Sequence, residues 1–149
     1  MPVLTGSCSA EVESAIERCW ALVADIERAP EWQRTLEHVE VVQRDEHGRA
    51  LICDTISNAK MTKVRCRVRM SYEAPRWLRW TQVQSDDLDS MDGSWELQEL
   101  GPALTRATYS LAVNPGPIGL LARPLERIIR PLVIGQQAEE LARALASMA

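Results

Sequence analysis

The sequence has no phenylalanine and only two tyrosines and two histidines, so its aromatic content rests on five tryptophans. His38 and His47 are too few and too poorly accompanied for a metal site, and His47 sits in a turn beside Gly48. No metal and no cofactor is expected. The cysteines, Cys8, Cys19, Cys53 and Cys66, show neither a close pair nor zinc-site spacing and read as reduced, buried thiols. A basic surplus is also missing, with 17 Lys and Arg against 21 Asp and Glu for a net charge of -4. Nucleic-acid modules usually need that surplus to displace counterions from phosphate, which sets nucleic acid aside. No uninterrupted apolar run approaches the ~20 residues that span a bilayer, and the N-terminus lacks a basic-then-apolar signal pattern. The expected location is cytoplasmic. No nucleophile elbow, phosphate-cradling glycine loop or Ser/His/Asp arrangement is visible, which argues against covalent catalysis and nucleotide binding.

What is present is enough to build a core. At 149 residues and 46% apolar content, one domain over residues 1–149 is the expectation, since two would each be marginal. Ser7 to Glu13 alternates, with Cys8, Ala10 and Val12 on one side, and reads as a half-buried first strand. Ser14 and Glu17 have capping-box spacing. A helix follows, with Ile16, Cys19, Trp20 and Val23 on one apolar face. Pro30 suits a first helical position, so Ala29 to Leu36 reads as a second, short helix.

From Val39 the period changes to that of strands: Val39 to Arg44, Ala50 to Asn58, Val64 to Tyr72, Leu78 to Gln84, Gly93 to Leu100 and Thr105 to Val113. Glu46-His47-Gly48, Glu73-Ala74-Pro75 and Gly101-Pro102 supply turn chemistry between them. The strictest alternation is Val64, Cys66, Val68, Met70 and Tyr72 against Arg65, Arg67, Arg69 and Ser71. Asn114-Pro115-Gly116-Pro117 breaks the run, and Ile118, Leu121, Leu125, Ile128, Ile129 and Leu132 return to helical spacing, continued by Leu141 and Leu145. Pro131 should kink this long terminal helix. The fold class is α+β: a curved antiparallel sheet of about seven strands wrapped around a long C-terminal helix, with two short helices after strand 1.

That order, with Cys19 to Glu27 running into Ala29-Pro30-Glu31-Trp32, and with Trp80-Thr81, Asp92 to Leu97 and Thr105 to Tyr109, resembles the START-like superfamily. The similarity is to its polyketide cyclase/dehydrase and lipid transport branch, and it spans nearly the whole chain. It implies a helix-grip fold with an internal cavity for a small hydrophobic ligand such as a lipid, isoprenoid, quinone or polyketide. It does not imply one reaction, since the family includes aromatase/cyclases as well as carriers.

A general acid or base in an apolar cavity is a buried carboxyl, His or Tyr. Tyr72 and Tyr109 lie on apolar strand faces and are candidates, against the plainer reading of core tyrosines. Asp54 alternates with Ile52 and Ile56; the opposite register buries Leu51, Cys53 and Thr55 and leaves Asp54 in water, avoiding a costly unpaired carboxylate. Candidate ligand contacts are Trp32, Met70, Trp80, Gln82 and Trp95 on or near the sheet, with Leu121, Leu125 and Ile128 on the terminal helix. Arg123, Arg127 and Arg130 recur along that helix, either as a solvated face or in transient contact with a membrane surface. The expected function is binding, or transport, of a small hydrophobic molecule. Non-covalent cyclisation or dehydration through Asp54, Tyr72 or Tyr109 is the enzymatic alternative, and a protein-interaction module a third; enzyme activity and oligomeric state stay open.

Overall fold

Alternation of apolar and polar residues builds nearly all of the molecule described by the computed structural model, which covers residues 4–58, 63–115 and 134–148. Seven strands form one antiparallel sheet: β1 (Leu4–Val12), β2 (Leu36–Arg44), β3 (Ala50–Asn58), β4 (Lys63–Glu73), β5 (Trp77–Gln84), β6 (Ser90–Gly101) and β7 (Leu104–Asn114). Their order is β1-β7-β6-β5-β4-β3-β2, so five successive hairpins run across the sheet and β1 closes onto β7. The two strands earliest in sequence are therefore its two edges. The chain crosses between them through α1 (Ile16–Val23), a 3-10 turn (Ile26–Arg28) and the single-turn α2 (Ala29–Trp32).

In β4 the predicted alternation holds, with Cys66, Val68 and Met70 buried and Arg65 and Arg69 exposed. Directly paired residues of an antiparallel sheet point to the same side, so the register carries this face outward to every strand. On it stand Cys53 opposite Val68, Trp80 opposite Met70, Trp95 opposite Leu78, Tyr109 opposite Trp95 and Cys8 opposite Tyr109. The helices cover this side. Ile16, Cys19, Leu22 and Val23 of α1 join the core, as do Ala138, Leu141 and Leu145 of the C-terminal helix α3 (Gln137–Ser147). The architecture is a helix-grip fold. The rest of the expected terminal helix, including Leu121, Leu125, Ile128, the three arginines and Pro131, lies outside the described residues.

Tertiary contacts move several expected boundaries. β1 begins at Leu4 rather than Ser7 because Leu4 and Gly6 pair with Val113 and Leu111. The capping box does not form: the cap position is Ala15, with no side-chain hydrogen bond. Ser14 is instead held in the preceding turn, its N–H on the Val12 carbonyl and its own carbonyl accepting from Thr105 Oγ1 at 2.8 Å. The second helix stops at Trp32 rather than Leu36, because Gln33 turns extended and its amide reaches Gln137 across the core at 3.0 Å. Leu36 is thereby released into β2. The β2–β3 turn follows its chemistry: Gly48 takes φ 80°, and Asp45 Oδ1 accepts from the His47 and Arg49 backbone N–H groups at 2.8 and 2.9 Å.

Candidate functional site

Four aromatic rings meet on the covered face of the sheet. Trp95 of β6 and Tyr109 of β7 are register partners, with ring centroids 5.1 Å apart at 62°. Trp80 of β5 reaches Tyr109 at 5.7 Å, and Trp32 reaches Trp95 at 5.9 Å. Each contact falls in the range where ring quadrupoles attract, contributing about 1 kcal/mol beyond area burial. Trp95 and Tyr109, in the middle, are buried, whereas Trp80 and Trp32 at the ends stay partly exposed. The Trp32 indole N–H is buried with no acceptor among the described residues.

The two tyrosines differ in what their hydroxyls do. Tyr72 donates to the Ala50 carbonyl at 2.5 Å, its ring edge-on to Trp20 and covered by the Arg49 guanidinium at 4.6 Å. That phenol is committed to holding the strands together. No described residue hydrogen-bonds the Tyr109 hydroxyl. Burial raises the pKa of both phenols, so each stays a neutral donor in ordinary buffers. Met70 is sealed in the core. Gln82 faces the same side, its carbonyl oxygen accepting from Cys66 Sγ at 3.6 Å and its amide donating to the Leu88 carbonyl at 3.0 Å. Its polar atoms are thus tied to the end of the sheet.

Asp54 stands on the opposite face. Its register partners are Glu40 and Arg67, and the Arg67 guanidinium grips both carboxylate oxygens. The reason is the one-residue phase of β3: Cys53 is fully buried, which turns Asp54 outward to the arginine row of β4. The structure therefore brings together Trp32, Trp80, Trp95 and Tyr109, sets Tyr72 toward the α1 side, and separates Asp54 from all of them. Among the described residues no three His, Cys, Asp or Glu side chains are grouped to hold a metal ion. None of the described helices is long and apolar enough to cross a membrane.

Two features were not legible in the sequence. One is a crevice of about 320 Å³ between the end of α1 and the β2–β3 hairpin, lined by Trp20, Asp25, Glu27, Arg44, Arg49 and Ala50 among others. Its walls are braced by the Arg44–Glu27 ion pair at 2.7 Å. The other is a buried polar junction. Gln137 binds Gln33 and Thr35, each at 3.0 Å, and Glu140 accepts from the Arg34 N–H at 2.9 Å. It ties α3 to the segment directly after Trp32. The sequence signal was there only as two polar residues on an otherwise apolar helix face.

A seven-stranded antiparallel sheet closing on its helices, with an aromatic chain on the enclosed side, makes this a helix-grip protein. Residues 12–137 match the family described as polyketide cyclase / dehydrase and lipid transport, and the chain belongs to it. A START superfamily protein from Mycobacterium smegmatis superposes with a TM-score of 0.76 at 20% identity, over 97% of this chain and 99% of that one. A protein from Thermus thermophilus gives 0.75 at 21% identity, over 99% and 100%. The Zhui aromatase/cyclase from a Streptomyces species gives 0.69 at 13% identity, over 99% and 86%. At these identities the likeness is one of fold. No curated protein matches the chain.

Proposed function

We propose that this chain binds a small hydrophobic molecule, of the lipid, isoprenoid, quinone or polyketide kind, against the aromatic chain on the enclosed face of its sheet. The observation that carries the reading is the convergence of Trp80, Tyr109, Trp95 and Trp32 from three strands and a helix. Rings that serve only as core filler have no need for partly open ends, whereas a ligand wall presents apolar area with few polar groups. Tyr109 supplies that polar group, a neutral hydroxyl able to donate to a ligand oxygen. The family description, which spans cyclases and lipid carriers, supports the same chemistry. A cytoplasmic location goes with this reading.

The test is native mass spectrometry of freshly purified protein, with titration by anilinonaphthalene sulfonate and a fluorescent fatty-acid analogue. Expected are a co-purifying small molecule or saturable uptake of a probe, with quenching of tryptophan emission and weaker uptake by Trp95→Ala. Absence of any bound molecule together with no saturable uptake rejects the reading.

A second reading is favoured by the Tyr109 hydroxyl, which no described residue engages. In a cofactor-free cyclase or dehydratase it would hold a substrate carbonyl while the aromatic wall folds the chain into a reactive shape. Tyr109→Phe then lowers turnover of a poly-β-ketone by about a hundredfold, a larger loss than its weakening of ketone binding. Equal turnover by the variant and the parent protein removes this role.

A further inference from the structure

Gly93 sits in the middle of β6, paired to Trp80 on one side and Leu111 on the other. Its backbone is not left-handed, Gly48 being the described glycine with positive φ, so nothing in its conformation calls for glycine. The space above it does. A Cβ built on Gly93 would overlap Trp80 Cε2, Cζ2 and Nε1, far inside any separation a carbon tolerates. The Trp80 indole thus occupies the place of the missing side chain. The register explains how it gets there. Trp80 is on β5 and its ring partner Tyr109 is on β7, two strands away, a span of roughly 10 Å at ordinary strand spacing. The indole bridges that gap by reclining across β6 at Gly93, instead of standing up from the sheet. With any other residue at 93, Trp80 must lift toward the helices and leave Tyr109.

We propose that Gly93 is a positioning residue for the ligand: its bare face lets Trp80 lie down on the sheet, and this sets the depth of the space above the aromatic chain. The inference rests on the binding reading above and adds a size limit to it. A broad ring compound needs the full depth, whereas a narrow one fits with Trp80 raised.

The experiment titrates naphthol and hydroxypyrene, a narrow and a broad fluorescent ring compound, into the parent protein, Gly93→Ala, Trp80→Ala and the double variant, with circular dichroism to verify folding. Gly93→Ala is expected to weaken hydroxypyrene by about tenfold relative to naphthol, the scale on which a methyl-sized intrusion discriminates in an apolar pocket. In the Trp80→Ala background the same glycine change should cost less than about twofold, because the clash is gone. Equal losses for both probes, or a full loss from Gly93→Ala without Trp80, overturn the proposal. Should Gly93→Ala alone not fold, the comparison of Trp80→Ala with the double variant decides by the same criterion. A parent protein that takes up neither probe overturns the binding reading itself, whereas uptake unaffected by Gly93→Ala overturns only the role of Gly93.

Discussion

Arg67 donates to both carboxylate oxygens of Asp54, at 2.7 and 2.9 Å, across adjacent strands on the face opposite the aromatic chain. The fork geometry is the strong form of an ion pair, but each side chain is 41% exposed, so water and salt screen it. Its role is to pin the register of β3 against β4 where one face is charged and the other greasy. A single-residue slip would put Cys53 outside and this carboxylate inside.

Asp54→Asn is therefore expected to leave ligand uptake unchanged and to lower stability by at most about 1 kcal/mol at neutral pH. The guanidinium hydrogen bonds hold the Asp54 carboxyl below its ordinary value of 3.8. A depressed folded-state pKa stabilises above the unfolded value and is lost as pH falls through the folded one. Urea unfolding of both proteins at pH 6 and near pH 2 should show the difference shrinking in acid. A difference that grows there contradicts the assignment.

The tyrosines should separate cleanly. Tyr72→Phe removes the hydrogen bond to the Ala50 carbonyl and is expected to cost about 1 kcal/mol of stability with little effect on probe binding. Tyr109→Phe, whose hydroxyl meets no described partner, should be nearly neutral in stability and should weaken ligands that carry a carbonyl. Thermal unfolding paired with titration of a ketone-bearing probe and its hydrocarbon analogue measures both. The reverse pattern would exchange their roles.

The junction between α3 and the segment after Trp32 should be sensitive to single polar atoms. Glu140→Leu strands the Arg34 N–H, and Gln137→Ala removes the partner of the buried Gln33 amide, each at about 2 kcal/mol. Glu140→Gln keeps an acceptor for Arg34 and should cost less than Glu140→Leu. Chemical denaturation ranks the three, and equal losses for the Leu and Gln variants would mean that the hydrogen bond contributes nothing.

All four cysteines are free, and Cys19, Cys53 and Cys66 are buried. Burial, helped by nearby Glu27 and Asp54, pushes the Cys53 thiol up to about 11. Little of it is thiolate at pH 8, and access is blocked as well. A thiol-exchange reagent should count four thiols in denaturant, while in the native protein Cys53, followed by mass spectrometry of its peptide, reacts many-fold more slowly. Rapid native labelling of Cys53 would place that strand face outside.

Residues that act through their own periodicity were readable from the chain. Val64 to Tyr72 announced a two-faced strand, Ala50 to Asn58 its neighbour, and Pro30 the start of a helical turn, because side-chain direction in a strand or helix follows from spacing alone. The START-like resemblance came from the same kind of local pattern. What spacing could not supply was anything set by a partner distant in sequence. Ser14 and Glu17 have capping-box spacing, but the Ser14 N–H that Glu17 would take is bonded to the Val12 carbonyl, and α2 ends early because Gln33 is drawn to Gln137. Asp54 had two registers open to it, and only pairing with Arg67 and burial of Cys53 chose between them. The tryptophans read as cavity walls one by one, but their meeting at Tyr109, and the empty place on Gly93 that permits it, exist only where three strands lie side by side. Sequence determined the sheet, its faces and the family; tertiary packing decided which polar groups face the enclosed side, because that depends on register between strands and not on order within one.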